Sequence, residues 1–138
     1  MHGAILGIGT DLVEIARMEE SLRKFGGRFE QRVFSDAEAA YCRSMPRAAQ
    51  HYAARFAAKE AFLKALGTGQ RLGIAWTEVE VIRAPDGRPS IVLAGRARET
   101  AEQFGVGDIH VSMSHTNGHA LAVVVLERRM DNGGGRPS

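Results

Sequence analysis

The stretch from Arg55 to Gly69, RFAAKEAFLKALGTG, constrains the fold more than any other part of the sequence. Its content of Ala, Leu and Lys favours a helix, and Gly67-Thr68-Gly69 is a typical helix stop. A helix on the surface of a domain gathers its charged residues on one face. Here the charges point in different directions, and nearly every remaining direction is apolar. We therefore expect a central helix that is packed on several sides.

Glu60 and Lys64 lie about one turn apart on this helix, so their side chains project close together. Glutamate four residues before lysine is the favoured exposed ion pair on a helix. The apolar surroundings favour a different interpretation, in which the two residues lie at the edge of the core or in a cleft. A phosphate near Gly-Thr-Gly would need a cation in the last helical turn, and Lys64 is that cation. The spacing by itself leaves both interpretations open.

Composition favours one ordinary globular domain. The chain has 138 residues, of which 44% are hydrophobic, and this length supports a single core. We expect the domain to span residues 1–130 and the glycine-rich tail, 131–138, to be disordered. Cys42 has no second cysteine to pair with, which predicts a reducing, cytoplasmic setting.

Charge and hydropathy exclude several kinds of partner. The net charge of +2 is only mildly basic, and no basic stripe is interleaved with aromatic residues, so nucleic-acid binding is not expected. No apolar run is long enough to cross a membrane, and the first residues do not resemble a signal peptide.

The N-terminal part of the chain predicts a short strand followed by a helix. Residues 4–8 form a short apolar run. Asp11 and Glu14 then have the spacing of a capping box, which makes Asp11 a candidate N-cap. The apolar stripe of the helix that follows would contain Ile15, Met18, Leu22 and Phe25.

The rest of the pattern predicts an α+β domain with a mainly antiparallel sheet. Ser35 to Glu38 form a capping box that opens a second helix, and the long helix runs from about Ala48 to Leu66. The chain ends in a hairpin around Asn117-Gly118. The run from Ala120 to Leu126 is apolar throughout, so we expect a central strand buried on both faces. Between these elements we expect strands at 77–82 and 89–93 and a helix at 96–104.

Three familiar motifs are present only in part. Gly7-Ile8-Gly9 lacks the third glycine of a dinucleotide fingerprint and no βαβ alternation follows it. Strand alternation separates His110 from His115, so a zinc site formed by these two with His119 is not expected. Ser114 before His115 lacks the strand–turn–helix setting of a hydrolase nucleophile.

Three segments together resemble the holo-acyl-carrier-protein synthase family of phosphopantetheinyl transferases. They are GIGTDLVEIARM at 7–18, RFAAKEAFLKALGTG at 55–69 and HVSMSHT at 110–116. The resemblance implies the transfer of phosphopantetheine from coenzyme A to a serine of apo acyl carrier protein. It also implies Mg²⁺ as cofactor, release of adenosine 3′,5′-bisphosphate, a role in fatty-acid or polyketide synthesis, and a homotrimer with active sites between subunits.

The same resemblance implies roles for particular residues. Asp11 and Glu60 would bind the metal and, with Lys64, form the catalytic set; the general base would be Glu60 or a metal-bound water. Arg17 would meet an acidic helix of the carrier protein. On the helix pattern alone, the face that carries Arg17, Lys24 and Arg28 is either a solvated surface or a docking surface for an acidic partner, so Lys24 and Arg28 are further candidate contacts. The residues expected to bind coenzyme A are Lys64, Gly67, Thr68, Gly69, His115 and Arg55.

Two alternatives remain beside the enzyme. In the first, the chain binds coenzyme A or a carrier protein without catalysis. In the second, it is a structural subunit of an oligomer, in which Glu60 and Lys64 form an ion pair and Asp11 only caps a helix.

Overall fold

A long helix crosses one face of an antiparallel sheet in the computed structural model, which describes residues 3–68 and 71–130. The tail expected to be disordered, 131–138, lies outside the described residues. The helices are α1 (Ile15–Val33), α2 (Asp36–Arg43), α3 (Ala48–Ala65) and α4 (Gly95–Gln103). The strands are β1 (Ile5–Glu14), β2 (Val79–Arg83), β3 (Pro89–Leu93), β4 (Val106–His115) and β5 (His119–Arg128). The predicted α+β class is confirmed.

Helix α3 is the central element that its composition predicts. From Arg55 to Ala65 every side chain is buried except those of Phe56, Glu60 and Lys64. The helix ends close to Gly67, which has a left-handed φ of 79° and whose N–H donates to the Lys64 carbonyl at 2.9 Å. Glycine adopts this conformation without the steric penalty that other residues meet, so the predicted helix stop is confirmed.

The main sheet has three antiparallel strands in the order β1-β5-β4, and β2 and β3 form a separate antiparallel pair. Strand β5 is central, as its apolar run predicts, but burial on both faces is wrong for the described chain. Its inward side chains, from Ala120 to Leu126, are fully buried against α3, whereas Leu121 on the outward face is 39% exposed. Among the described residues, helices cover one face of this sheet, and on the other face Ile8, Leu12 and Leu121 are exposed.

Strand β1 is much longer than the apolar run at 4–8 suggests. Asp11 pairs with Ala122 of β5 inside the strand, so its predicted role as an N-cap is wrong. The helix begins at Ile15, and Glu14 occupies the N-cap position without a capping hydrogen bond from its side chain. Pairing with β5 keeps the backbone extended up to Glu14, and this overrides the local capping signal.

Helix α1 is kinked at Gly26, which has φ 59° and ψ −140°. Met18 is buried as predicted, but Phe25 is 55% exposed. The kink changes the direction of the helix just after Phe25, so a stripe extrapolated from a straight helix fails there. The second predicted capping box is confirmed, because Ser35 and Glu38 exchange both capping hydrogen bonds. Within the described residues, no helix combines the length and apolar character needed to cross a membrane.

Candidate functional site

Strand β1 and helix α3 approach each other closely because two glycines face the helix. A Cβ atom on Gly9 would lie only 2.0 Å from the Ala61 carbonyl oxygen, and one on Gly7 only 1.9 Å from that of Ala65. Real Cβ atoms essentially never make contacts this short. The Gly-x-Gly sequence is therefore a packing motif, which agrees with the rejection of a dinucleotide fingerprint.

This close contact brings Asp11 of β1 to the exposed corner of α3. The Lys64 ammonium donates hydrogen bonds to Asp11 Oδ1 at 2.9 Å and to the Thr10 carbonyl oxygen at 3.1 Å. The Asp11 side chain is only 16% exposed, whereas that of Lys64 is 54% exposed. Lys64 thus pairs with a residue distant in sequence, and among the described residues it makes no ion pair with Glu60.

Glu60 is the third member of the cluster, and the charge of Asp11 affects the pKa of its carboxyl. Burial and the negative charge of Asp11 raise the pKa of the Glu60 carboxyl, while the positive charges of Lys64 and Arg71 act in the opposite direction. The hydrogen bond to Asp11 raises the pKa of Lys64. Two neighbouring, partly buried carboxylates repel each other, and a bound divalent cation relieves this repulsion. Carboxylate oxygens are also the ligands that Mg²⁺ prefers, so the residues fit a magnesium ion.

The loop after α3 is described only in part. Gly67 and Thr68 follow the last turn directly, beside Lys64, and Gly69 lies outside the described residues. Gly67 thus leaves bare backbone directly after the last turn of α3, and its N–H donates to the Lys64 carbonyl.

Arg55 and His115 belong to a second group of side chains, towards the N-terminal half of α3. The buried Arg55 guanidinium lies 4.3 Å from the centre of the Tyr41 ring, and Arg83 of β2 lies 5.5 Å from the same ring. His115, at the end of β4, has its ring 6.4 Å from that of His51. Along the helix axis Arg55 and Lys64 are separated by roughly 13 Å. The structure therefore does not gather all the predicted residues at one point of a single chain.

This second group, defined as Arg55, His51, Arg83 and His115, is a basic cluster. Burial, followed by the positive charges around it, lowers the pKa of His51. The Nε atom of Arg55 is buried and has no hydrogen-bond partner among the described residues. A buried donor without a partner is costly, and an anion would satisfy it. The sequence contained no local signal for His51 or Arg83, because α3 and β2 meet only in the folded domain.

The three predicted carrier-protein residues are exposed along α1. Arg17 lines a groove that also includes Asp11 and Phe56. Lys24 and Arg28 line the next groove, on either side of the exposed Phe25. Both grooves are bordered by Phe29, so the basic face of α1 is continuous with the cluster at Asp11.

Sequence reasoning missed the fully buried ion pair beside Glu60. Lys59 Nζ lies 2.8 Å from Glu38 Oε1, and it also donates to the carbonyl oxygens of Trp76 and Val79. Glu38 in turn accepts from the Val81 N–H at 2.6 Å. The available sequence signal was Lys59, a charged residue on an apolar face of α3. It indicated that Lys59 is buried, but it did not identify Glu38 as its partner. The pair ties α2 and β2 to the helix that carries Glu60 and Lys64.

His110 lies on the outward face of the sheet, away from Asp11. Its Nε2 is 2.8 Å from Glu127 Oε2, and Asp108 lies next to the pair. These exposed side chains are on the face opposite α3, so they are not part of the site at Asp11.

A family model described as the 4′-phosphopantetheinyl transferase superfamily matches residues 7–124. The chain belongs to this superfamily. The match includes both β1 and α3, and therefore all of Asp11, Glu60 and Lys64. It also includes the basic face of α1 and His115.

Similarity to individual relatives identifies one family within this superfamily. The chain is 48% identical over 123 residues to the holo-[acyl-carrier-protein] synthase of Koribacter versatilis, covering 89% of this chain and 98% of the relative. It is 50% identical over 124 residues to the enzyme of that name from a Geobacter species, covering 90% and 99%. This transferase is thus a member of the holo-[acyl-carrier-protein] synthase family.

Solved structures support the same assignment. The Neisseria meningitidis holo-[acyl-carrier-protein] synthase superposes with a TM-score of 0.83 at 33% identity, covering 90% of this chain and 99% of that one. The Helicobacter pylori enzyme, solved in complex with coenzyme A, superposes with a TM-score of 0.77 at 32% identity, covering 87% and 99%.

Proposed function

We propose that this transferase moves the phosphopantetheine group of coenzyme A to a serine of apo acyl carrier protein, in a Mg²⁺-dependent reaction that releases adenosine 3′,5′-bisphosphate. The observation that carries the proposal is the meeting of Asp11, Glu60 and Lys64 across the close contact between β1 and α3, in a chain of this family. The activity belongs to one domain, residues 1–130. It supports fatty-acid or polyketide synthesis in the cytoplasm.

Asp11 and Glu60 are the residues that would hold the metal. Each contributes a carboxylate oxygen from a different element, and the contact between β1 and α3 sets their separation. When bound, Mg²⁺ neutralises the diphosphate of coenzyme A and stabilises the departing bisphosphate. Both carboxylates are partly buried, so water screens their attraction for a cation less than it would at a fully exposed position.

Lys64 supplies the positive charge that the chain itself brings to the site. Its exposed ammonium is within hydrogen-bond distance of Asp11, so a diphosphate bound there lies within its reach. The serine oxygen of the carrier protein forms a bond to the phosphorus that bears pantetheine, and the bond from that phosphorus to the bridging oxygen breaks. Charge grows on the departing bisphosphate, where a fixed cation is most effective. The serine proton passes to Glu60 or to solvent.

The basic cluster around Arg55 and His115 fits the other phosphate of coenzyme A. The diphosphate must lie at the reacting centre by Lys64, which leaves the ribose 3′-phosphate for a second cationic pocket. His115→Ala should therefore raise KM for coenzyme A while leaving KM for dephospho-coenzyme A unchanged. An equal rise for both substrates would contradict the 3′-phosphate assignment.

The uncovered face of the main sheet supports a homotrimer with active sites between subunits. Leu12 is 62% exposed and Leu121, its neighbour on β5, is 39% exposed. Large apolar patches of this kind mark interaction surfaces. A further copy of this chain would cover them. Light scattering should give three times the chain mass, and Leu12→Glu should give the monomer. A monomeric wild-type protein would contradict this part of the proposal.

The basic face of α1 fits an acidic carrier protein. Arg17, Lys24 and Arg28 supply the charge, and the exposed Phe25 supplies an apolar anchor of the kind that dominates interface energies. Arg17→Glu should weaken carrier binding more than coenzyme A binding. An equal loss of both would reject the docking role of Arg17.

The decisive experiment is intact-mass spectrometry of apo acyl carrier protein incubated with this protein, coenzyme A and Mg²⁺. A mass gain of one phosphopantetheine on the carrier serine, abolished by a chelator, is the expected result. Asp11→Ala and Glu60→Gln should abolish the gain without changing the circular-dichroism spectrum. Full activity in either variant would contradict the metal assignment. Coenzyme A binding without transfer to any carrier protein would instead favour the non-catalytic module.

A further inference from the structure

A second basic groove adjoins the groove of Lys24 and Arg28, with which it shares Arg32. It is lined by Arg32 at the end of α1, by Arg71, and by the loop from Gly73 to Trp76. Lys24, Arg28 and Arg32 line one groove on both sides of the kink at Gly26, so the basic surface of α1 runs directly into this second groove.

Arg71 is held in position by its surroundings. Its guanidinium lies 4.8 Å from the centre of the Trp76 ring, and Trp76 packs on Phe56 with ring centres 5.2 Å apart. The Arg71 carbonyl accepts from the Ile74 N–H at 2.9 Å. Leu72, the next residue, has a left-handed φ of 58°, a conformation that is unfavourable for a non-glycine residue. The loop therefore presents Arg71 in a fixed place at some conformational cost.

The two arginines are available to a partner. Both are exposed, and neither forms an ion pair with another residue in 3–68 or 71–130. Trp76, over which Arg71 lies, packs on Phe56, and Phe56 lines the groove that includes Asp11 and Arg17. A charged group bound by Arg71 consequently lies next to the groove of Asp11, where the acceptor serine must arrive.

We infer that Arg32 and Arg71 bind an acidic segment of the carrier protein near its acceptor serine, so that the docking surface continues from α1 across the loop after α3. This inference rests on the proposed function. Coenzyme A is a less suitable occupant, because its phosphates already have cations in Lys64 and in the basic cluster around Arg55. Arg32 provides the continuity with the α1 row that a protein footprint requires.

Charge reversal at each arginine tests the inference. We expect Arg32→Glu and Arg71→Glu each to raise KM for the carrier protein by about tenfold, equivalent to ~1.4 kcal/mol. KM for coenzyme A should stay within about twofold of wild type, which is under ~0.5 kcal/mol. The matched control is Arg98→Glu on α4, an exposed arginine outside both grooves that changes net charge equally. A neutral variant, Arg71→Gln, should show a smaller rise in carrier KM, and this separates lost attraction from repulsion of Glu60.

Two results would overturn the inference. One is a carrier KM for Arg32→Glu that matches the Arg98→Glu control. The other is a rise in KM for coenzyme A in place of the carrier, which would make Arg71 a ligand of the coenzyme. If the wild-type protein transfers no phosphopantetheine, the proposed function fails separately. Calorimetric titration with apo carrier protein then tests the inference separately. Weaker binding of the carrier protein to Arg32→Glu than to the wild type supports the acidic-segment site, and unchanged binding overturns it.

Discussion

Gly9→Ala should damage the active site from inside the core. The new Cβ would lie 2.0 Å from the Ala61 carbonyl oxygen and 2.7 Å from the Ala65 N atom. Both neighbours are backbone atoms of α3, so no side-chain rotation relieves the contact. The strand and the helix must therefore separate by roughly 1.4 Å to reach the 3.4 Å of an ordinary contact.

This separation acts directly on the residues for which we propose catalytic roles. Asp11 follows Gly9 by two positions on the same face of β1, and Glu60 and Lys64 flank Ala61 on α3. A misplacement of about 1 Å costs on the order of a hundredfold in rate when catalysis depends on positioning. Overpacking of a core costs about 1–3 kcal/mol in stability. We thus expect a large loss of kcat together with a moderate loss of stability.

Steady-state transfer assays and urea unfolding would measure the two effects on the same protein. Gly118→Ala is the control, because a Cβ there meets nothing within 4 Å. Gly7→Ala has a similar contact, 1.9 Å from the Ala65 carbonyl oxygen, but lies further from Asp11. It should cost comparable stability and less activity. A folded Gly9→Ala enzyme with kcat within about threefold of wild type would refute the role of this close contact.

Two further predictions concern the polar interactions that support the site. Lys59→Met should lower the free energy of unfolding by about 3–5 kcal/mol, because it leaves the buried Glu38 carboxylate unpaired. Replacing Glu38 by Gln in the same protein should restore part of this loss, as measured by urea unfolding. An unchanged urea midpoint for Lys59→Met would contradict the pairing. Burial tends to raise the pKa of Glu30, but hydrogen bonds from Arg43 and Tyr52 outweigh it, and the pKa is lowered from its usual 4.5. The stabilisation is therefore complete above about pH 4.5 and is lost as the pH falls through the lower, folded-state pKa. Tyr52→Phe should lower the free energy of unfolding by about 1.5–3 kcal/mol at pH 7, and this difference should narrow in acid; a difference independent of pH would contradict it.

Local patterns predicted the elements that depend on local interactions. The apolar surroundings and the glycine stop specified α3, the Ser35–Glu38 capping box specified the start of α2, and the Asn117-Gly118 hairpin was located correctly. In each case the stabilising contacts join residues a few positions apart. The packed character of α3 also followed from sequence, because a helix with apolar residues in nearly every direction must be covered.

Asp11 shows where local patterns fail. Its spacing to Glu14 matches a helix cap, but nine backbone pairings along β5 hold the segment as a strand. The partners of those pairings are more than a hundred residues away in the chain, so no window around Asp11 contains the deciding interactions. Phe25 fails for a different reason, since Gly26 breaks the helical period on which the apolar stripe depends.

The sequence by itself determined the fold class, the central helix and, through resemblance, the identities of Asp11, Glu60 and Lys64. Only the tertiary structure decided that Lys64 pairs with Asp11, that Gly7 and Gly9 make this possible, and that Arg71 lies over Trp76. Residue identity and helical spacing are encoded within a few positions of the chain. Contacts between β1, α3 and the following loop depend instead on how closely two backbones can pack, and that distance exists only once the sheet has formed.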